Sequence, residues 1–89
     1  MANKRTLKRV INGICDELSV NLVASSLYGG NVHEEDMDAV FYSILSMRHN
    51  FISRVSHPEP GIPAKTYYRD LCEKFGSQVS EIVDQINSI

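Results

Sequence analysis

No stretch of the 89 residues approaches the roughly 20 uninterrupted apolar side chains of a bilayer-spanning helix, so no membrane span is expected. Excess charge is also scarce. Nine Lys and Arg against eleven Asp and Glu leave a net charge of −2, which gives no general reason to seek a nucleic-acid or membrane-surface partner. Cysteine is limited to Cys15 and Cys72, in neither a C-x-x-C pair nor a zinc-like spacing. They read as plain core thiols of a reducing compartment, with a Cys15 to Cys72 disulfide left open. Alternation of apolar and polar residues over strand length is missing, so no sheet is expected, and internal repeats and low-complexity tracts are missing too. The basic start resembles the first part of a signal peptide. Asn12, Asp16 and Glu17 interrupt what would be its apolar part, so export is not expected and the cytoplasm is the expected location.

What is present is helical periodicity. Leu7, Val10, Ile11, Ile14, Leu18 and Leu22 recur at spacings of three and four, one stripe of a helix over 4–28, and Gly29-Gly30 supplies its stop. Asn31 followed by Glu34 has the pattern of a capping box opening a second helix over 32–55, where Glu34, Glu35 and Asp36 meet the positive end of the helix dipole. Its stripe is Met37, Val40, Phe41, Ile44, Leu45, Phe51, Ile52 and Val55. Arg48 interrupts that stripe, so its aliphatic stem is expected along the core edge with the guanidinium reaching water or an acid.

All three prolines fall between His57 and Pro63, a stiff connector, with Pro63 placed as the first residue of a third helix over 63–88. Tyr68, Leu71, Cys72, Phe75, Val79, Ile82, Val83 and Ile86 form its stripe, and Asp70 and Lys74 form an i,i+4 pair. Gly76 predicts a close backbone contact with a neighbouring helix, because it is otherwise a cost inside a helix. The fold expected is all-α: one domain, residues 1–89, of three long helices in an antiparallel up-down-up bundle that dimerisation would complete.

Charge is distributed less evenly than its total. Lys4, Arg5, Lys8 and Arg9 open the chain without an acid, while Glu34, Glu35, Asp36 and Asp38 cluster in the middle, so the two ends of the molecule are expected to differ in sign. The basic quartet is the candidate for anion or nucleic-acid contact, and Arg48, His57, Glu59 and Tyr67 are candidates for an interaction surface. Of the adjacent tyrosines, Tyr68 follows the stripe; Tyr67 either covers the proline loop or marks a contact surface. No Glu-x-x-His pair suggests a di-metal site, no pattern of nucleophile and acid marks His49 or His57 for nucleophilic catalysis, and Gly29-Gly30 lacks the context of a phosphate loop. No metal, cofactor or catalytic residue is therefore assigned.

Met1-Ala2-Asn3-Lys4-Arg5, Ser26-Leu27-Tyr28-Gly29-Gly30-Asn31 and Ser56-His57-Pro58-Glu59-Pro60-Gly61 resemble short helical proteins of Bacteroides-type bacteria, a family to which no activity attaches. The resemblance implies a bacterial cytoplasm and nothing catalytic. The leading functional expectation is a non-enzymatic interaction module that pairs with itself, or with another protein, through apolar helix faces. One rival is a nucleic-acid-associated regulatory factor acting through the basic tip, which the overall charge disfavours. Another is a ligand-binding protein or enzyme at the proline-loop end, using His57, Glu59, Arg69 and the tyrosines.

Overall fold

The computed structural model describes residues 4–28 and 33–88. Three helices follow in order: α1 (Lys4–Tyr28), α2 (Glu34–Ser56) and α3 (Ala64–Ser88). They pack side by side with alternating direction, in an elongated body of 49 × 19 × 16 Å. The bundle thus has a connector end, where α1 stops and α2 starts, and a proline-loop end, where α2 gives way to α3. No helix among the described residues is long and apolar enough to cross a membrane.

The core follows the periodicity. Ile11, Cys15, Leu18 and Leu22 of α1 meet Val40, Ile44, Met47, Phe51 and Val55 of α2 and Tyr68, Leu71, Phe75, Ile82 and Ile86 of α3. Each fully buried aliphatic or aromatic side chain contributes roughly 1.5–3 kcal/mol of transfer free energy. Phe51 and Phe75 meet edge to face at 5.2 Å, which ties α2 to α3 at the centre of the loop half. Arg48 behaves as its position predicts: it is half-buried, and its Nη1 lies 3.3 Å from the Asp16 carboxylate on α1. Asp70 and Lys74 pair at 3.0 Å on the surface of α3.

Several expectations are corrected. Val10, Phe41, Leu45, Cys72 and Val83 lie at the edges of their stripes and are exposed, while Met47, which the stripe omitted, is buried. Packing is most extensive between α1 and α2 and least between α1 and α3, so three helices leave stripe edges open that a fourth would cover. Helix α2 begins at Glu34, so Glu34 is its first residue and not the third position that a capping box requires. His33 is the N-cap; its carbonyl accepts from the N–H groups of Asp36 and Met37, and its side chain makes no cap bond. Asn31 and Gly29-Gly30 lie outside the described residues. Helix α3 begins at Ala64, with the Pro63 carbonyl accepting from Tyr67 N–H at 2.9 Å, so Pro63 precedes the helix and closes its first turn. Gly76 is exposed, and a Cβ built there meets nothing within 4 Å, so no neighbouring helix explains it.

Candidate functional site

The proline-loop end is built from the termination of α2. A helix leaves its last four carbonyls without intrahelical partners. Here the last i→i−4 bond runs from the N–H of His57 to Ser53 O at 3.0 Å, and two of the carbonyls beyond it are taken up by side chains: Arg54 O by the Tyr67 hydroxyl at 2.9 Å, and Val55 O by the Tyr68 hydroxyl at 3.1 Å. The adjacent tyrosines, 100° apart on α3, therefore reach consecutive carbonyls of α2. They also stack edge to face at 5.3 Å. Between the helices Pro60 precedes Gly61 at φ +88°, the residue order of a type II turn, which needs a positive φ at its third residue.

This closure shapes an open depression of about 880 Å³ lined by Arg54, His57, Glu59, Ile62, Tyr67 and Arg69, among others. Of the residues singled out in the sequence, the structure brings His57, Glu59 and Tyr67 together here; Arg48 lies away from it, at mid-bundle on Asp16. The ionic lining carries both signs. Asp70 and Lys74 satisfy each other, and the Arg54 guanidinium sits over the Phe51 ring at 5.3 Å. Among the described residues no group of three or more His, Cys, Asp or Glu is placed to hold a metal ion.

The basic quartet occupies the first two turns of α1, with Lys8 half-buried and Lys4, Arg5 and Arg9 exposed. The quartet is part of a larger separation. All nine Lys and Arg lie in the loop half of the bundle, on residues 4–9 of α1, 48–54 of α2 and 65–74 of α3, beside the four acids Asp16, Glu59, Asp70 and Glu73. The connector half holds the other seven acids, Glu17, Glu34, Glu35, Asp36, Asp38, Glu81 and Asp84, and no Lys or Arg. The expected difference in sign between the ends is therefore a separation along the whole length of the molecule.

The connector half also carries residues that the sequence stripes passed over. Val20, Val23 and Leu27 of α1 are 65%, 50% and 73% exposed. They return at spacings of three and four on the side of α1 opposite Leu18 and Leu22. The Asp16–Arg48 ion pair fixes the antiparallel register of α1 and α2, so Val23 lies level with Phe41, and Ser19 level with Leu45. Exposed Val20, Val23, Leu27, Phe41 and Leu45 thus share one uncovered α1–α2 face, and Ser19, Val20, Val23, Ala24, Leu27 and Tyr28 line a shallow apolar hollow on it. A sequence signal for this face exists: from Leu18 to His33 no Asp, Glu, Lys or Arg occurs, so this half of α1 has no charged side on which to face water.

Burial holds the Cys15 thiol above the usual thiol range; nearby Arg48 opposes that shift and Asp16 adds to it. Both cysteines are free, Cys15 buried and Cys72 exposed. No family model, curated protein or solved structure matches the chain.

Proposed function

We propose that this chain is a non-catalytic interaction module that pairs with a second copy of itself through the uncovered α1–α2 face. The observation that carries the reading is Val20, Val23 and Leu27, three branched apolar side chains held in water on the back of a helix whose front already fills the core. Area supports it. The chain exposes 6281 Å², against about 5200 Å² expected of a compact monomer of 10.0 kDa, because a thin rod has more surface than a sphere. The difference, roughly 1000 Å², is of the order that each partner covers in a standard interface, about 800 Å².

The basic half would suit a polyanion, but part of its charge is already engaged within the bundle: Arg48 on Asp16, Lys74 on Asp70 and Arg54 over Phe51. The apolar face has no such internal use, which makes it the better supported site. We place the module in a bacterial cytoplasm, a setting favoured by the family resemblance and by an exposed free thiol at Cys72, which an oxidising compartment would tend to pair.

Light scattering across a micromolar dilution series tests the proposal, with a mass near twice 10.0 kDa expected at the concentrated end. The double variant Val23→Asp and Leu27→Asp should keep the helical dichroism of the wild type, since both residues are exposed, and run as a single chain. A wild type that stays at one chain mass throughout would remove the proposal.

A further inference from the structure

Resting on the self-association proposed above, we infer that pairing is governed by ionic strength: acids fringing the apolar face hold two copies apart in dilute salt, and screening them lets the face close. The apolar stretch has a definite place on the rod. Val20, Val23 and Leu27 of α1, with Phe41 and Leu45 of α2, all lie in the connector half, which holds seven acids and no Lys or Arg. A two-fold axis that buries this stretch lays the connector half of one copy on the connector half of the other, whether it runs along the rods or across them. Like charge meets like in either orientation.

Acids stand beside the seam itself. On α2, Glu34 and Asp38 precede Phe41, Leu45 and Arg48 at spacings of three and four, so they share that flank, and both are exposed. On α1, exposed Glu17 lies one turn before Val20. Asp36, Glu81 and Asp84 instead line hollows between α2 and α3, away from the face. The nearest cation offers no relief, because Arg48 is already on Asp16 at 3.3 Å and the two charges offset each other. The next bases, Arg9 on α1 and Arg54 on α2, lie roughly 16 and 14 Å further along their helices from Val20 and Leu45, so repulsion between acids is the closer interaction. The Debye length is about 30 Å at 0.01 M salt and about 8 Å at 0.15 M, so added salt removes most of this repulsion and leaves the apolar contact intact.

Analytical ultracentrifugation of the full chain in sodium chloride from about 0.01 to about 0.15 M reads the effect, under reducing conditions because Cys72 is exposed. The dissociation constant of the wild type should fall several-fold across that range. Glu34→Gln with Asp38→Asn should pair more tightly than wild type in dilute salt and respond less to added salt; since both side chains are exposed, its helical dichroism should be unchanged. Glu59→Gln with Glu73→Gln removes the same charge from the loop half and should not tighten the pair. A wild-type constant that is flat or rises with salt, a connector-half variant that pairs no more tightly than wild type, or equal tightening in the two variants overturns the salt control and leaves self-association standing. The mass of one chain in wild type and in both variants at every salt concentration overturns the self-association reading itself.

Discussion

At the proline-loop end, α2 stops against two tyrosines of α3 that take its consecutive carbonyls, Phe51 and Phe75 fill the space behind them, and the surface carries bases and acids that partly satisfy one another. At the connector end, the same α2 begins after the N-cap His33, whose side chain makes no cap bond, and the outward sides of α1 and α2 carry Val20, Val23, Leu27, Phe41 and Leu45 among acids alone. One end is finished by contacts inside the chain; the other leaves apolar surface exposed among the described residues. The difference separates closure from exposure: buried side chains line the whole rod, but the α2–α3 closure and the exposed apolar face lie at opposite ends of it.

The largest test of that separation compares two phenylalanines of α2. Phe51 is fully buried and Phe41 is 44% exposed. Phe51→Ala should cost about 3–5 kcal/mol, most or all of the stability of so small a domain, and urea titration at concentrations low enough to keep the chain monomeric should find it largely unfolded. Phe41→Ala in the same dilute solution should cost less, about 1–1.5 kcal/mol, because only about half of its side chain leaves water on folding. Equal losses in the two variants would mean that the connector end is held as firmly as the loop end, and the contrast would be gone.

A smaller effect sharpens the account of the closed end. Tyr68 is buried and Tyr67 half-buried, yet their hydroxyls make bonds of similar length to neighbouring carbonyls. Tyr68→Phe strands the Val55 carbonyl away from water and should cost about 1–2 kcal/mol. Tyr67→Phe leaves the Arg54 carbonyl where water can replace the hydroxyl, and should cost about 0.5 kcal/mol. If Tyr67→Phe proved the more damaging, the α2 end would be held from the solvent side.

Most of the fold was legible because a 3.6-residue period survives in the sequence whatever the partners are. The stripes located all three helices to within two residues at their ends, the Arg48 interruption foretold a stem at the core edge with its guanidinium on an acid, and the two charged clusters foretold ends of opposite sign. Stripe edges were not legible. A residue such as Phe41, Cys72 or Val83 sits at an angle that a fourth helix would bury and three do not, and only the relative packing of the helices decides. The apolar face was missed because Val20, Val23 and Leu27 form a second stripe behind the first, and a search for one stripe per helix discards it. Its trace, the uncharged run from Leu18 to His33, is an absence that periodicity does not weigh. The double tyrosine cap depended on where α2 ends in space, which spacing within α3 cannot give.

The smallest effect concerns the helical glycines; at Gly76 the sequence reading expects a contact and the structure has open space. Gly13 of α1 and Gly76 of α3 are helical, exposed and free of any atom within 4 Å of an added Cβ. A glycine inside a helix costs roughly 0.5–1 kcal/mol relative to alanine, chiefly because the unfolded chain has more freedom to lose. Gly13→Ala and Gly76→Ala should therefore each stabilise the bundle by about that amount, raising the thermal midpoint by several degrees in a domain of this size. Gly76 lies on α3, away from the α1–α2 face, so its gain should persist at concentrations where the proposed dimer forms. If Gly76→Ala lost stability when concentrated and gained it when dilute, the second copy would be reaching α3, and the uncovered face would extend around the rod beyond α1 and α2.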